Sequence, residues 1–335
     1  MLKDAKWISC QKEIETPCVI RRFNRRGAVS AKIAVTGLGF FELSLNGKKV
    51  CSDFFVPAQS DYICRRLDRL TYPISGSFRH RIYYLEYDIT ECMVPGENFL
   101  EILLGNGWFR QTKRIAEGEL SFGDSLMCIY EIELAFQDGS REFIRSDGNE
   151  TCVASYITEC NLFLGEVHDM RLCEAPCRKE IPVRTADAFD SEKIELTRQT
   201  CPPDRVTESI VPRLISDNGC SKIYDAGENL SGAVGLFMDG APGDKATVRF
   251  AEELDGDGKL DFSSSGGGYV CSDGRRQIQT DVFISDGKPH RFFPKFVWHA
   301  FRFFEITSDA PVSCITVEKI HCDIAVTSGF DSDSE

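Results

Sequence analysis

Apolar and polar residues alternate in short runs along almost the whole chain. In Ala31–Val50 (AKIAVTGLGFFELSLNGKKV), Phe41, Leu43 and Leu45 alternate with Glu42 and Ser44, the period-two signature of a strand with one buried face. Asn46-Gly47 follows, a pair that accepts the positive φ angles of a tight hairpin. Similar alternation recurs in Tyr84–Ile89, Phe99–Leu104, Cys128–Phe136, Lys245–Phe250 and Gln279–Ile284, with turn residues at Pro95-Gly96, Asp138-Gly139, Ala241-Pro242-Gly243 and Asp286-Gly287. No long segment carries apolar residues three and four apart between helix caps. Short strands at such intervals predict an all-β fold of two consecutive antiparallel β-sandwich domains. The densest segment is Phe292–Ile306 (FFPKFVWHAFRFFEI), whose apolar side chains are too many for all of them to face water.

The length of 335 residues suits two domains, each able to bury its own core. Between Cys173 and Cys220 lie Pro176, Pro182, Pro202, Pro203 and Pro212, which interrupt any strand ladder. The expected boundary falls there, giving domains 1–185 and 186–335. A formal charge of −13 disfavours nucleic acid or an anionic membrane surface as a partner. The basic runs Arg21-Arg22-Phe23-Asn24-Arg25-Arg26 and Arg65-Arg66 with Arg69 therefore read as solvated faces. No apolar run approaches the ~18 residues of a membrane span, and Met1–Trp7 lacks the apolar stretch of a secretory leader. The expected location is cytoplasmic. The 15 cysteines are accordingly expected as reduced thiols that pack like small apolar residues.

No nucleophile elbow, phosphate loop or dinucleotide fingerprint occurs, and no cofactor is called for. Cys173 and Cys177 with His168 lack the second ligand pair of a zinc site. Asp255 and Asp257 would share a strand face at roughly 6.5–9.5 Å, the separation of an inverting glycosidase. However, they sit in Asp255-Gly256-Asp257-Gly258, which reads as a solvated turn. A calcium loop fails at Lys259 and Leu260, where a ligand and a glycine are needed. The better binding element is Gly105-Asn106-Gly107-Trp108-Phe109-Arg110. There Trp108 can stack on a sugar ring while Asn106 and Arg110 bind hydroxyls; the alternative is Trp108 as domain core. Gly165–Arg171 is expected to be ion-pair scaffolding, and Arg302, between Phe301 and Phe303, a stacked or paired guanidinium.

Taken in order, these blocks resemble the bacterial α-L-rhamnosidases of glycoside hydrolase family 78. The first half carries Gly37–Gly47, Pro57 to Asp61-Tyr62, Tyr87-Asp88-Ile89-Thr90, Pro95-Gly96-Glu97-Asn98, Gly105–Phe109, and Gly165-Glu166 with Asp169 and Arg171. The second carries Tyr224–Gly232, Ala251-Glu252-Glu253-Leu254, Gln279-Thr280-Asp281 and Pro294-Lys295-Phe296 on to Arg302. The resemblance implies jelly-roll or concanavalin-like sandwiches that precede a helical (α/α)6 barrel holding the catalytic acid and base. Such a barrel would begin near Ser328–Glu335, so the chain is expected to be the non-catalytic amino-terminal portion of an inverting rhamnosidase. No catalytic residue is assigned. The implied partners are a rhamnose-containing carbohydrate, through the parent enzyme, and the chain's own barrel, with a homodimer as a further option. Some family members carry a calcium-assisted rhamnose site. Here Asp61-Tyr62 runs into Ile63-Cys64-Arg65-Arg66, whose charge opposes calcium, so no metal is expected and Asp61 joins the sugar-binding candidates alone. The alternative function is a carbohydrate-binding module that acts by itself.

Overall fold

The structure, a computed structural model, describes residues 2–62, 80–111, 120–123, 125–173, 179–186, 194–271 and 273–322. Residues Ile63–Arg66, Cys177 and Ser328–Glu335, which entered the expectations above, lie outside them. Among the described residues, 12 strands form one sheet and 10 a second.

Along the first sheet the order is Ile194–Arg198, His80–Asp88, Ser30–Gly37, Met127–Ala135, Ile8–Cys10, Ile181–Thr185, Thr151–Ala154, Pro17–Asn24, Glu97–Gly105, Phe40–Leu45 and Lys48–Lys49. The sheet curls over at Ile181–Thr185, which pairs with Ile8–Cys10 on one side and Thr151–Ala154 on the other. Its two halves then face each other as a sandwich. Ile33, Val35, Ile132 and Leu134 from one half meet Leu43, Leu45, Leu100 and Ile102 from the other in a single buried cluster. The alternation in Phe40–Leu45 holds: Phe41, Leu43 and Leu45 are buried, whereas Glu42 and Ser44 are half-buried on the opposite face. Asn46 (φ 55°) and Gly47 (φ 74°) make the expected hairpin turn. The Asn46 carboxamide ties that turn to Cys92 O and Asn98 Oδ1, both at 2.9 Å.

The second sheet runs Ile157–Asn161, Gly165–Asp169, Thr280–Ile284, Lys245–Ala251, His299–Ser308, Ser221–Met238, Val312–His321 and Arg205–Ile210. Its core gathers Val234, Leu236, Val248, Phe250, Phe283, Phe301 and Phe304. Two pairings are parallel: Gly165–Asp169 beside Thr280–Ile284, and Ile194–Arg198 beside His80–Asp88. Parallel neighbours require long connections instead of hairpins, and both pairs join segments far apart in sequence. The chain therefore enters the second sheet at Ile157–Asp169, returns to the first for Ile181–Thr185 and Ile194–Arg198, and leaves again at Arg205–Ile210.

The expectation of uniformly reduced thiols is corrected by a disulfide between Cys10 and Cys152. Ile8–Cys10 and Thr151–Ala154 flank the same strand at the fold of the sheet, which brings the two Cα atoms to 6.0 Å. A sequence separation of 142 residues hides this pair from any spacing rule. Cys18, Cys128, Cys160 and Cys271 are buried thiols, as small apolar residues would be buried. Non-reducing peptide mapping is expected to recover Cys10 linked to Cys152. Reduction, or Cys10→Ser with Cys152→Ser, is expected to cost about 2–4 kcal/mol in denaturant unfolding; unchanged stability would show that the bond does not form in solution.

Candidate functional site at the joint between the sandwiches

The segment Pro294-Lys295-Phe296 of the aromatic run plugs into the first sandwich. Gly105 ends a first-sheet strand, and a Cβ there would lie 2.3 Å from the Phe296 ring. Only glycine lets the ring approach so closely. Around this contact Phe40, Phe55, Ile157, Leu162, Ala233 and Phe296 form a buried cluster drawn from both sandwiches. Trp298 packs against Phe55 and Phe40, with ring centroids at 4.8 and 6.4 Å.

A buried carboxylate holds the plug in place. Glu166, fully inaccessible to solvent, accepts the backbone N–H of Lys295 at 2.8 Å and that of Phe296 at 2.7 Å. His168 Nε2 sits 2.6 Å from the same group. The Glu166 N–H donates to Asp281 Oδ1 at 3.0 Å, and Asp281 Oδ2 meets His299 Nε2 at 3.0 Å. His299 is stacked 4.0 Å over Phe250 and reaches Gln279 Oε1 at 3.0 Å. Burying two carboxylates is costly unless their oxygens are bonded, and these are. Gly165 has φ +107°, and a Cβ there would lie 2.1 Å from Thr280 O; a side chain would push Glu166 out of position.

Beside the plug a cleft separates the sandwiches. The side chain of Lys295 crosses it to Glu42 Oε1 at 2.6 Å, and Lys49 reaches Glu42 Oε2 at 3.1 Å. Burial pushes Glu42 upward, but the two ammonium groups outweigh it and hold the carboxyl below its ordinary range. Burial likewise pulls Lys295 down, and the neighbouring Tyr156 phenol and Glu42 carboxylate more than reverse it. Both groups are thus charged at neutral pH. Tyr156 stands next to them, its ring edge-on to His168 at 5.3 Å. Burial pushes its phenol up to about 12 against the pull of Lys295, so it remains a neutral hydroxyl. Two cavities of about 200 and 250 Å³ open here and share Glu42, Tyr156 and Lys295.

The residues singled out as sugar ligands lie near the joint, not in this cleft. Asn106 and Arg110 are buried. The Asn106 amide donates to Glu15 Oε1 at 2.7 Å and Cys160 O at 2.6 Å, and its oxygen accepts from Arg110 Nε at 2.9 Å. Arg110 in turn donates to Glu15 O at 2.9 Å and Oε2 at 3.0 Å. Trp108 is half-buried, edge-on to Phe163 and Trp298 at 6.1 Å each. Asp61 lies apart, its backbone N–H bonded to Arg81 O at 3.0 Å; its neighbour Tyr62 packs on Phe109 at 5.1 Å. Asp255 closes the hairpin turn, its Oδ1 accepting from Asp257 N and Lys259 N, each at 2.9 Å. Arg302 pairs with Asp225 at 3.0 and 3.3 Å and stacks over Phe303. Together with Gly227 N–H and Arg213, Arg302 holds the Asp225 carboxyl down to about 2. Glu166 falls in the segment expected as ion-pair scaffolding, but its bonds to the Lys295 and Phe296 backbone and the Glu42–Lys295 bridge were missed, because the partners are far apart in sequence.

Residues 27–208 match the family model described as the α-L-rhamnosidase N-terminal domain, and residues 217–323 the bacterial α-L-rhamnosidase concanavalin-like domain. An α-L-rhamnosidase of Streptomyces avermitilis is 27% identical over 286 residues, which cover 83% of this chain and 25% of the relative. The crystal structure of native α-L-rhamnosidase from Aspergillus terreus superposes with a TM-score of 0.78 at 21% identity, covering 96% of this chain and 36% of that one. The Streptomyces avermitilis α-L-rhamnosidase complexed with L-rhamnose gives 0.76 at 23% identity, covering 93% and 29%. Across its curated relatives the chain spans 25% to 34% of their length.

Glu166→Ala strands two buried N–H groups and His168, and is expected to destabilise the protein by about 3–5 kcal/mol. Glu166→Gln keeps an acceptor oxygen and is expected to cost about 1–2 kcal/mol. Urea midpoints would check both, and wild-type stability in Glu166→Ala would refute the clamp. For Asp225, a folded value of about 2 below the unfolded one near 3.9 means stabilisation above about pH 4, lost as pH falls toward 2. Screening reduces the effect to roughly 1 kcal/mol. Arg302→Ala is expected to flatten that part of the stability–pH profile.

Proposed function

The chain belongs to the α-L-rhamnosidase family through its amino-terminal and concanavalin-like domains, and from that premise we propose that it is the non-catalytic portion that carries a separate catalytic domain. The observation behind this reading is coverage. The two matched domains account for most of the chain, yet the chain spans about a third or less of its relatives. The acids of the described residues support it as well. Glu166 and Asp281 are fully buried and occupied by backbone and histidine groups. Asp255 and Asp257 sit in an exposed turn, where Asp255 Oδ1 is taken up by the Asp257 and Lys259 N–H groups. In the parent the reaction would be inverting hydrolysis of a terminal α-L-rhamnoside, its acid and base supplied by the (α/α)6 barrel.

The proposed role of the sandwiches is to present one rigid body to that barrel. The consecutive strands Arg205–Ile210 and Arg213–Asp217 offer it a face, where Val206, Val211 and Leu214 are 40%, 85% and 48% exposed. Pairing of two copies through that face is the competing use, and sedimentation would distinguish the two. No described helix is long and apolar enough to cross a membrane. The cytoplasmic expectation is opposed by Cys10–Cys152, since such bonds persist where thiols are oxidised. Hydrolysis of p-nitrophenyl α-L-rhamnoside is expected from this chain joined to the coding sequence that follows it, and not from the 335 residues alone. Turnover by the 335 residues would place a catalytic pair within the sandwiches; inactivity of both proteins would refute the assignment to a rhamnosidase.

A further inference from the structure

The cleft between the sandwiches holds polar groups that the joint does not use. Tyr156 and Ser44 both line it, and among the described residues neither hydroxyl has a hydrogen-bond partner. The Lys295 ammonium carries three N–H groups and gives one to Glu42. Each Glu42 oxygen accepts one ammonium, at 2.6 and 3.1 Å, which leaves a further lone pair on each. These donors and acceptors are preorganised, because Lys295 is fixed by its backbone bond to Glu166 and Glu42 by its strand. Apolar faces complete the wall: Phe54 and Phe293 meet edge-on at 5.9 Å, and Lys49 lies 4.3 Å over Phe54.

From this geometry we infer that the cleft is a saccharide-binding site for one or two neutral sugar units, formed only when the two sandwiches are docked. The charges argue for a neutral ligand. Lys295, Lys49 and Arg291 bring three positive charges to the cleft's walls, and Glu42, Glu101 and Glu318, the last paired with Arg291 at 3.3 Å, bring three negative ones. An anionic ligand would face the Glu42 and Glu101 carboxylates as well as the cations. Hydroxyls fit instead, since each both donates and accepts, as Tyr156 and Ser44 do, and the C–H face of a pyranose packs on phenylalanine. The two lobes, about 200 and 250 Å³, are together within the range of small-ligand sites, about 300–1,000 Å³. Joints between domains commonly host such sites.

The site rests on the rhamnosidase reading only for the choice of the first probe. The test is calorimetric or NMR titration of the intact chain with L-rhamnose, D-galactose and D-glucose, with D-glucuronate as the charged comparator. Saturable binding of at least one neutral sugar is expected, weakened about tenfold by Tyr156→Phe, which removes one hydroxyl and no carbon. Ser44→Ala should weaken it less, and Asp61→Ala, at a position apart from the joint, should leave it unchanged. Thermal melts of each variant separate lost binding from lost folding. Silence toward all three neutral sugars, equal affinity in Tyr156→Phe, or tighter binding of D-glucuronate would overturn the inference. Loss confined to Asp61→Ala would move the site to the first sandwich. These titrations do not depend on hydrolysis, so failure of the cleft and failure of the rhamnosidase reading are separate results.

Discussion

The Glu166 carboxylate is the group on which the arrangement of the two sandwiches depends. It is fully buried, and it binds the N–H groups of Lys295 and Phe296 at the point where that segment enters the first sandwich. A buried carboxylate tolerates only positions in which its oxygens remain bonded. The Lys295–Phe296 backbone is thereby fixed, and its two side chains act outward. Phe296 packs closely against Gly105, and Lys295 spans the cleft to Glu42. One buried side chain sets the packing on one side of the segment and an ion pair on the other.

Interleaving of the chain strengthens the joint. The hairpin that carries Glu166 leaves the first sandwich to pair with Thr280–Ile284 of the second, and Ile194–Arg198 returns to the first. Neither sandwich is complete without residues from the other side of a simple boundary. The aromatic cluster of Phe40, Phe55, Trp108, Phe293, Phe296 and Trp298 is a third core, not a surface contact. Such a joint transmits orientation, as a support for a separate catalytic domain must, and it also shapes the cleft in which Tyr156 and Ser44 remain uncommitted.

Much of the fold was legible because strand alternation and turn residues are local signals. Asn46-Gly47 gave its turn, and Phe41, Leu43 and Leu45 gave their face. The Phe292–Ile306 run was correctly seen as too apolar for a surface, but its division was not visible: Phe292, Phe301 and Phe304 fill the second core, whereas Phe293, Phe296 and Trp298 fill the joint. Long-range partners were hidden. Glu166 meets residues 129 and 130 positions away, and Cys10 meets Cys152 142 positions away. For Glu166 a signal existed, since Glu166 and His168 are two apart in a strand and so share a face, in a segment already expected to be ion-pair scaffolding. Trp108, Asn106 and Arg110 show a different limit of local reading. A Gly-Asn-Gly-Trp motif presents the same residue types for binding a sugar as for closing a joint, and only their partners distinguish the two.

Cooperativity of unfolding tests the joint most directly. Scanning calorimetry of the intact chain, with the heat of unfolding compared to its van't Hoff value, reports whether the sandwiches melt together. If Glu166, Phe296 and the aromatic core make them one body, a single transition with equal enthalpies is expected. Two resolved transitions in the unmodified protein would mean that the sandwiches are independent and that the clamp does not hold them.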